Sequence, residues 1–263
     1  WELTSGYRAT FSKVIFLDLS DPSCWRHNAL DEIRVGSEWE WDDCVLISTQ
    51  LPLEDAETAR VPYYVTSAID VNAAIIQHVV NFSLPNERNM ESVYKIAHKE
   101  LSELVKLLEN SPLETVRDVA NSKLKGSPDT AKKVLEAAHN ALTPWASPII
   151  RKVTRSSDFK LSDLVAELTT VYLRVPDNMT EQWSRILKVF ISQVRNMLMH
   201  HTDLTPDGRE KLHELLLDID EFSTFADKKW DHAMSRIAKY GGRILMAMQS
   251  PHTLKDKFGP YQT

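Results

Sequence analysis

The arrangement of β-rich and helical segments constrains the fold of this chain more than any single motif does. Four short apolar runs have the composition of strands: KVIFLDL (13–19), TTVYLRVP (169–176), ELLLDID (214–220) and RILMAMQ (243–249). Helical segments separate the later runs, which predicts a parallel sheet with both faces covered. From about residue 66 to residue 143, helical spacing replaces the β-rich runs. We therefore expect an α/β sheet interrupted by an all-helical insertion, with domain boundaries at 1–57, 58–150 and 151–263.

At least four amphipathic helices are predicted in the insertion, which is enough for a small bundle. The segment SAIDVNAAIIQHVVN (67–81) has an apolar stripe formed by Ile69, Ala73, Ile76 and Val80. Two later helices begin with capping signals: Ser111 is the predicted N-cap of one, and Ser127 or Asp129 of the other. By contrast, the first 57 residues are predicted to be strand and loop. Trp25, Trp39 and Trp41 lie there in an acidic, turn-rich stretch.

Composition and charge exclude several classes of protein. With 43% hydrophobic and 26% charged residues the chain is typical of a globular protein, and no run is apolar enough for a membrane span or a secretory signal. The net charge of −6 argues against a generally basic nucleic-acid wrap. The charge is uneven: −8 over residues 1–57, zero over 58–150 and +2 over 151–263.

The cysteines and histidines give little sign of a metal site. The two cysteines, Cys24 and Cys44, fit a reducing compartment, although a disulfide between them is conceivable. No CxxC or HExxH motif occurs, so a dedicated zinc site is not expected. The paired His200 and His201 end a helical stretch and are expected to be exposed to solvent.

Acidic residues follow the third β-rich run at the point where ligands bind in parallel sheets. If 215–219 is a central strand, Asp220 and Glu221 emerge at its carboxyl end. Asp220 would then hold Mg²⁺ and Glu221 would orient or deprotonate a water molecule. Gln249 ends the next run and could reach the same water. The alternative is an acidic helix cap followed by an unrelated loop, and Asp218 is expected to be satisfied by main-chain N–H groups.

A phosphate-binding loop is missing from the printed sequence. Such a loop requires Gly-x-x-x-x-Gly-Lys-Ser/Thr, and no Gly-Lys dipeptide occurs among the seven glycines. ATP hydrolysis by these 263 residues alone is therefore not expected. The sequence also begins without methionine, at WELTSGYR, and is interpreted as a fragment.

Several phrases in order along the chain resemble the type IV secretion coupling proteins of the TraG/TraD class. They are WELTSGYRATFSKVIFLDLSDPS, WRHNALDEIRVG, SDFKLSDLVAELTTVYLRVP, LLLDIDEF and AKYGGRILMAMQS. Within the second phrase Ala29 replaces the proline usual in the family. The resemblance implies a RecA-like P-loop NTPase sheet, truncated at its N-terminal side because the family's phosphate loop lies upstream of the WELT phrase. It also implies an inserted all-α domain.

The resemblance further implies a hexameric ATPase that uses ATP and Mg²⁺ at the cytoplasmic face of the bacterial inner membrane. Asp220 matches the family's Mg²⁺-associated carboxylate, Glu221 its catalytic carboxylate and Gln249 its sensor glutamine. The family's arginine-finger position is Ala238 here, so Arg236 or Arg243 would have to substitute. The membrane helices of the family would lie upstream of Trp1.

The implied partners are relaxosome or relaxase proteins, effectors and adaptors, bound through the all-α domain. Direct DNA contact is a second possibility, because the insertion has one basic cluster, formed by Lys123, Lys125, Lys132 and Lys133. Two other functions remain open: a recognition module without catalysis, and an unrelated Mg²⁺-dependent hydrolase built on Asp218, Asp220 and Glu221.

Overall fold

All four predicted strands are present in a computed structural model that describes residues 2–52, 62–220 and 229–247. They are β1 (Lys13–Asp18), β2 (Thr169–Arg174), β3 (Leu215–Ile219) and β4 (Gly242–Met246). β1 pairs with β2, and β3 pairs with β4 in parallel. The Lys13 N–H donates to the Leu168 carbonyl (2.9 Å) and the Leu19 N–H to the Arg174 carbonyl (3.1 Å). Partner numbers rise together, so β1 and β2 are parallel as well.

Helices make up most of the rest of the described chain. They are α1 (Ser5–Arg8), α2 (Glu40–Ser48), α3 (Pro62–Phe82), α4 (Met90–Ala97), α5 (Leu101–Glu109), α6 (Glu114–Val119), α7 (Pro128–Ala141), α8 (Pro148–Val153), α9 (Asp163–Ala166), α10 (Thr180–Met199) and α11 (Lys229–Arg236). A π-helical turn (Ala120–Leu124) continues α6. Of the described helices, none combines the length and apolarity needed to cross a membrane.

The contacts divide the chain into two units, each with its own core. Unit 1 consists of Trp1–Phe16, Lys160–Tyr172 and Ile191–Thr263. Unit 2 consists of Leu17–Phe159 and Leu173–Phe190 and contains the helical bundle. The predicted boundaries at 57 and 150 remain a prediction.

Helix α3 lies at the centre of the bundle, where it packs against α2, α4, α6 and α7. Its buried residues include Val71, Ala74, Ile75 and Val79, which lie off the predicted stripe. Three of the four residues of the predicted stripe are buried as well, so the buried surface of α3 is wider than the stripe, because a helix surrounded by others is buried on several sides. Each fully buried Val or Ile contributes about 1.5–3 kcal/mol.

Two local predictions differ from the structure. Only the end of the acidic tryptophan stretch, predicted to be loop, is helical: α2 begins at Glu40, and Glu40, Asp42 and Asp43 occupy its first turn. Carboxylates there are stabilised by the partial positive charge of the helix N-terminus. Ser111 is not an N-cap, because α6 begins at Glu114 and the Ser111 hydroxyl accepts from the Leu113 N–H instead. Ser127 does cap α7, accepting from the Thr130 N–H.

A buried carboxylate joins α2 to the bundle. Glu40 is 6% exposed and accepts hydrogen bonds from Gln77 Nε2 (2.9 Å), Asn81 Nδ2 (2.8 Å) and the Gly36 N–H (2.6 Å). The hydroxyl of Thr115, just inside α6, donates to Gln77 Oε1 (2.6 Å). A buried charge is tolerated only when hydrogen bonds replace its water, and this network supplies them.

Cys24 and Cys44 are free thiols and form no disulfide. Cys44 is buried on α2, and burial raises its pKa well above the ordinary value, with the charges of Glu40 and Asp43 adding to the effect. A buried, protonated thiol behaves as a small apolar side chain.

Candidate functional site at the β3–β4 edge

The carboxyl ends of β3 and β4 meet at one edge of the unit 1 sheet. The register runs from Leu215 opposite Gly242 to Ile219 opposite Met246. The Ala247 N–H donates to the Ile219 carbonyl (3.0 Å), so Asp220 and Ala247 leave the sheet side by side. This is the edge at which parallel α/β sheets bind ligands.

Two adjacent glycines set the start of β4. Gly241 has a φ of +79°, a left-handed conformation that favours glycine, and its N–H bonds the Ala238 carbonyl. A Cβ on Gly242 would lie 2.5 Å from Ile237 Cγ1. Glycine at both positions therefore lets the chain turn out of the Ile237–Tyr240 helical turn and enter the sheet directly.

One face of this strand pair is covered and the other is open. Ile219 and Trp230 form a buried cluster with the partly buried Ile191, Leu217, Met234, Ile244 and Met246. On the opposite face, Leu216 and Leu245 are 54% and 55% exposed. The prediction that both faces are covered is therefore wrong for β3 and β4, whose residues alternate between core and solvent.

The segment that leads into β3 is anchored by charged and main-chain contacts. The Arg209 guanidinium pairs with Asp163, and the N–H groups of Leu212 and His213 donate to the Val165 carbonyl (2.9 Å each). Burial acts to raise the pKa of Asp163, but Arg209 and other partners outweigh it, so the pKa lies below its ordinary value. The Lys211 ammonium group donates to the His201 carbonyl (2.6 Å) beyond the end of α10. These contacts fix the position from which β3 starts.

Asp218, which is in β3, and Asp220, which follows it, have different positions. Asp220 is exposed, immediately after the carboxyl end of β3. Asp218 is exposed on the open sheet face, opposite Leu245. Its carboxylate has no main-chain N–H partner among the described residues, which contradicts the predicted role as a satisfied strand-edge acid. Asp220 therefore lies at the carboxyl edge of the sheet, whereas Asp218 lies on its exposed face.

Glu221 and Gln249 lie outside the described residues, so their predicted roles remain predictions. Within the described ranges, no group of three or more His, Cys, Asp or Glu side chains could hold a metal ion. Asp220 is the described carboxylate that directly follows β3, and a Mg²⁺ ion bound at this edge could draw on it. Mg²⁺ commonly takes one or two carboxylates and completes its shell with water and phosphate oxygens, so Asp220 fits that role.

The candidate arginine fingers are both exposed, at different places. Arg243 pairs with Glu214 (3.0 Å) near the amino ends of β3 and β4. It is three residues before Met246, hence ~10 Å from the carboxyl edge along the strand. Arg236 ends α11. Within one copy of the chain, Arg243 is thus placed at the end of the strands opposite to Asp220.

The basic cluster of the insertion is partly neutralised. Lys123 pairs with Asp70 (3.0 Å), Lys125 pairs with Glu109, and the Lys133 ammonium group lies 5.5 Å from the centroid of the Tyr64 ring. These contacts reduce the charge available for phosphate groups, and DNA contact here stays a prediction. His200 and His201 are exposed, as predicted.

Sequence reasoning missed an ordered loop in the acidic tryptophan stretch. Arg34 pairs with the buried Asp43 through Nε (2.8 Å) and Nη2 (2.6 Å), and its guanidinium lies over the Trp39 ring. The available signal was the density of tryptophan and acidic residues before α2.

In a comparison with known proteins, one family model matches the chain over its whole length. The family model for Type IV secretory system Conjugative DNA transfer matches residues 1–263. Protein VirD4 of Agrobacterium fabrum is 32% identical over 110 residues, which are 41% of this chain and 16% of that protein. The conjugal transfer protein TraG of Escherichia coli is 21% identical over 98% of this chain and 43% of its own length. The chain thus spans less than half the length of these curated relatives.

Solved structures of a bacterial conjugative coupling protein, TrwBdeltaN70, have the same fold. A trigonal form in complex with sulphate aligns with a TM-score of 0.71 at 16% identity, over 98% of this chain and 61% of that one. An unbound monoclinic form aligns with a TM-score of 0.67 at 17% identity, over 94% and 54%. The architecture of short parallel strand pairs among many helices is therefore that of a coupling protein.

Proposed function

Because the chain belongs to the type IV secretory system conjugative DNA transfer family, we propose that it is part of an ATP-driven coupling protein. The observation that carries this proposal is the parallel β3–β4 pair, which brings Asp220 to the sheet edge where parallel folds bind ligands. An unrelated Mg²⁺-dependent hydrolase has no comparable support, since the family match covers residues 1–263.

In the proposed site the residues of this chain supply the acidic half of a nucleotide pocket. Asp220 would hold Mg²⁺ through water, and the ion would neutralise charge on the phosphates. Glu221 would accept a proton from, or orient, the attacking water, and Gln249 would contact that water or the terminal phosphate. The phosphate-binding loop would come from a part of the coupling protein outside these 263 residues, and neighbouring copies in a hexamer would complete each site. Arg236 or Arg243 would supply the trans-acting arginine to such a neighbour's nucleotide, and Arg243, at the opposite end of the strands from Asp220, could act in no other way.

The test is steady-state ATP hydrolysis by the full-length protein that contains these residues. Replacing Glu221→Gln should lower kcat by about 10²–10⁴, the usual contribution of a general base. Asp220→Asn should raise the Mg²⁺ concentration needed for half-maximal rate. Asp218→Asn is the matched control, because it alters a nearby carboxylate that lies within β3 on its exposed face. Wild-type turnover in Glu221→Gln, or an equal loss in Asp218→Asn, would contradict the assignment.

The proposed task of that hydrolysis is to move cargo into a secretion channel at the cytoplasmic face of the bacterial inner membrane. The helical bundle would recruit relaxase complexes, effectors or adaptors, since its zero net charge and paired lysines favour a protein partner over a DNA backbone. A non-catalytic recognition module is the alternative, supported by the well-packed bundle alone. It would be favoured if the full-length sequence had no Gly-Lys-Ser/Thr loop.

Cargo recruitment can be separated from DNA binding with charge variants of the bundle. The double variant Lys132→Glu, Lys133→Glu in the full-length protein should leave retention of a purified relaxase or effector unchanged in a pull-down. Loss of retention of a single-stranded oligonucleotide in the same variant would show that the bundle contacts DNA instead.

A further inference from the structure

An exposed apolar loop precedes α2 in unit 2. Residues 33–39, here named the Trp39 loop, connect the helical turn Ala29–Glu32 to α2. Val35 is 45% exposed and Trp39 is 47% exposed. Large aromatic side chains that are half exposed are common centres of protein interfaces. The Trp39 loop therefore differs from most surface loops, which expose mainly polar side chains, because it exposes two large apolar ones.

The loop is held rigidly from within. Arg34 is 19% exposed, pairs with the Asp43 carboxylate through two nitrogen atoms, and lies 5.3 Å from the centroid of the Trp39 ring. The Gly36 N–H donates to Glu40 Oε2 (2.6 Å), and Gly36 has a φ of +78°, which favours glycine. A loop fixed in this way loses little conformational entropy when a partner binds, so more of the contact energy becomes affinity.

The charged residues of the segment that carries the loop are mostly acidic. Asp31, Glu38 and Asp42 are exposed, whereas Arg34, the single cation between residues 31 and 43, is engaged with Asp43. Among the described residues the carboxylates do not converge in a group that could hold a metal ion. Dispersed carboxylates around an apolar centre complement several separate cations, not one ion.

We infer that the Trp39 loop is a docking surface for a lysine- and arginine-rich segment of a partner protein that also carries an apolar side chain. The apolar side chain packs on Trp39 and Val35, and the cations pair with Asp31, Glu38 and Asp42. This surface consists of unit 2 residues outside the predicted 58–150 insertion. It requires neither ATP hydrolysis nor cargo binding by the bundle, so it stands apart from the proposed function.

The experiment is a fluorescence anisotropy titration of the 263-residue chain with a short fluorescein-labelled peptide of alternating lysine and leucine. Saturable binding that weakens as salt is added is expected. Trp39→Ala should raise the Kd at least about tenfold, the loss typical of an interface hot spot. Trp39→Phe, which keeps an aromatic face, should restore most of the affinity. Tyr63→Ala is the control, because Tyr63 is an equally exposed aromatic residue on α3.

The charge requirement is tested separately. The double variant Glu38→Gln, Asp42→Asn should weaken binding severalfold at low salt and reduce its salt dependence, whereas Asp118→Asn, an exposed carboxylate of α6, should change neither. Circular dichroism of each variant verifies that it is folded. Absence of binding, equal binding of a glutamate–leucine peptide, or an unchanged Kd in Trp39→Ala would overturn the inference. So would self-association of the chain that Trp39→Ala abolishes, because the occupant would then be a second copy.

Discussion

Replacing the buried carboxylate of Glu40 gives the sharpest test of how the acidic segment is attached to the bundle. In Glu40→Ala, the donors Gln77 Nε2, Asn81 Nδ2 and the Gly36 N–H all lose their acceptor. Hydrogen bonds to a charged group contribute about 1.5–3 kcal/mol each, so the gross loss is ~4.5–9 kcal/mol. Removing the carboxylate also relieves its desolvation penalty of several kcal/mol. The expected net loss in the free energy of unfolding is about 3 kcal/mol.

Chemical denaturation followed by circular dichroism measures this loss. The urea midpoint should fall while the slope of the transition is unchanged, which identifies a change in stability and not in the surface exposed. Glu40→Gln preserves the shape but turns an amide donor towards other donors, so its loss should be intermediate. Glu38→Ala is the matched control, because Glu38 is exposed two residues away and should have no measurable effect. A loss below about 1 kcal/mol in Glu40→Ala would refute the reasoning.

Two further perturbations test other parts of the fold. Gly242→Ala should cost about 1–3 kcal/mol in thermal unfolding, since its Cβ would lie 2.5 Å from Ile237 Cγ1, whereas Gly126→Ala, with nothing within 4 Å, should be tolerated. The rings of His98 and His139 stack with centroids 4.2 Å apart, and burial, aided by His98, keeps the pKa of His139 below its ordinary value. The neutral form is thus favoured in the fold. The stabilisation is present above the unfolded pKa of about 6.5 and is lost as the pH falls below it. His139→Gln should flatten the decline in stability between about pH 7 and pH 5.5, and an unchanged decline would contradict this assignment.

The strands could be predicted from sequence because the signals that form and end them, their residue composition and the residues that terminate them, are local. TTVYLRVP is rich in β-branched and aromatic residues and ends at Pro176, and β2 occupies Thr169–Arg174. The long helix α10 could also be predicted, because its apolar residues keep helical spacing from Thr180 to Met199. The β3–β4 edge followed from these elements, because parallel neighbours bring their carboxyl ends together.

What could not be predicted depends on contacts distant in sequence. The α2 helix was not predicted because EWDDCVLIS has no strong apolar stripe. The helix is stabilised by the hydrogen bonds that Glu40 accepts from Gln77 and Asn81 of α3. The open face of β3 was missed for a similar reason. Leu215, Leu216 and Leu217 form a continuous apolar run, and only pairing with β4 shows that Leu216 points to solvent. Composition cannot indicate which leucine of such a run faces the core.

The Glu40 carboxylate also links the stability of unit 2 to the proposed docking surface. One of its oxygen atoms accepts from Gln77 and Asn81 of the bundle, while the other accepts from the N–H of Gly36 in the Trp39 loop. Glu40→Ala should therefore weaken binding of the lysine–leucine peptide even at denaturant-free conditions where the bundle remains folded, because the loop loses its anchor and the partner must order it. Trp39→Ala should also weaken binding, but with a much smaller shift of the urea midpoint, because it leaves the hydrogen bonds of Glu40 in place. If the two variants affected binding and stability in fixed proportion, the loop would be a passive part of the core and not a preorganised surface.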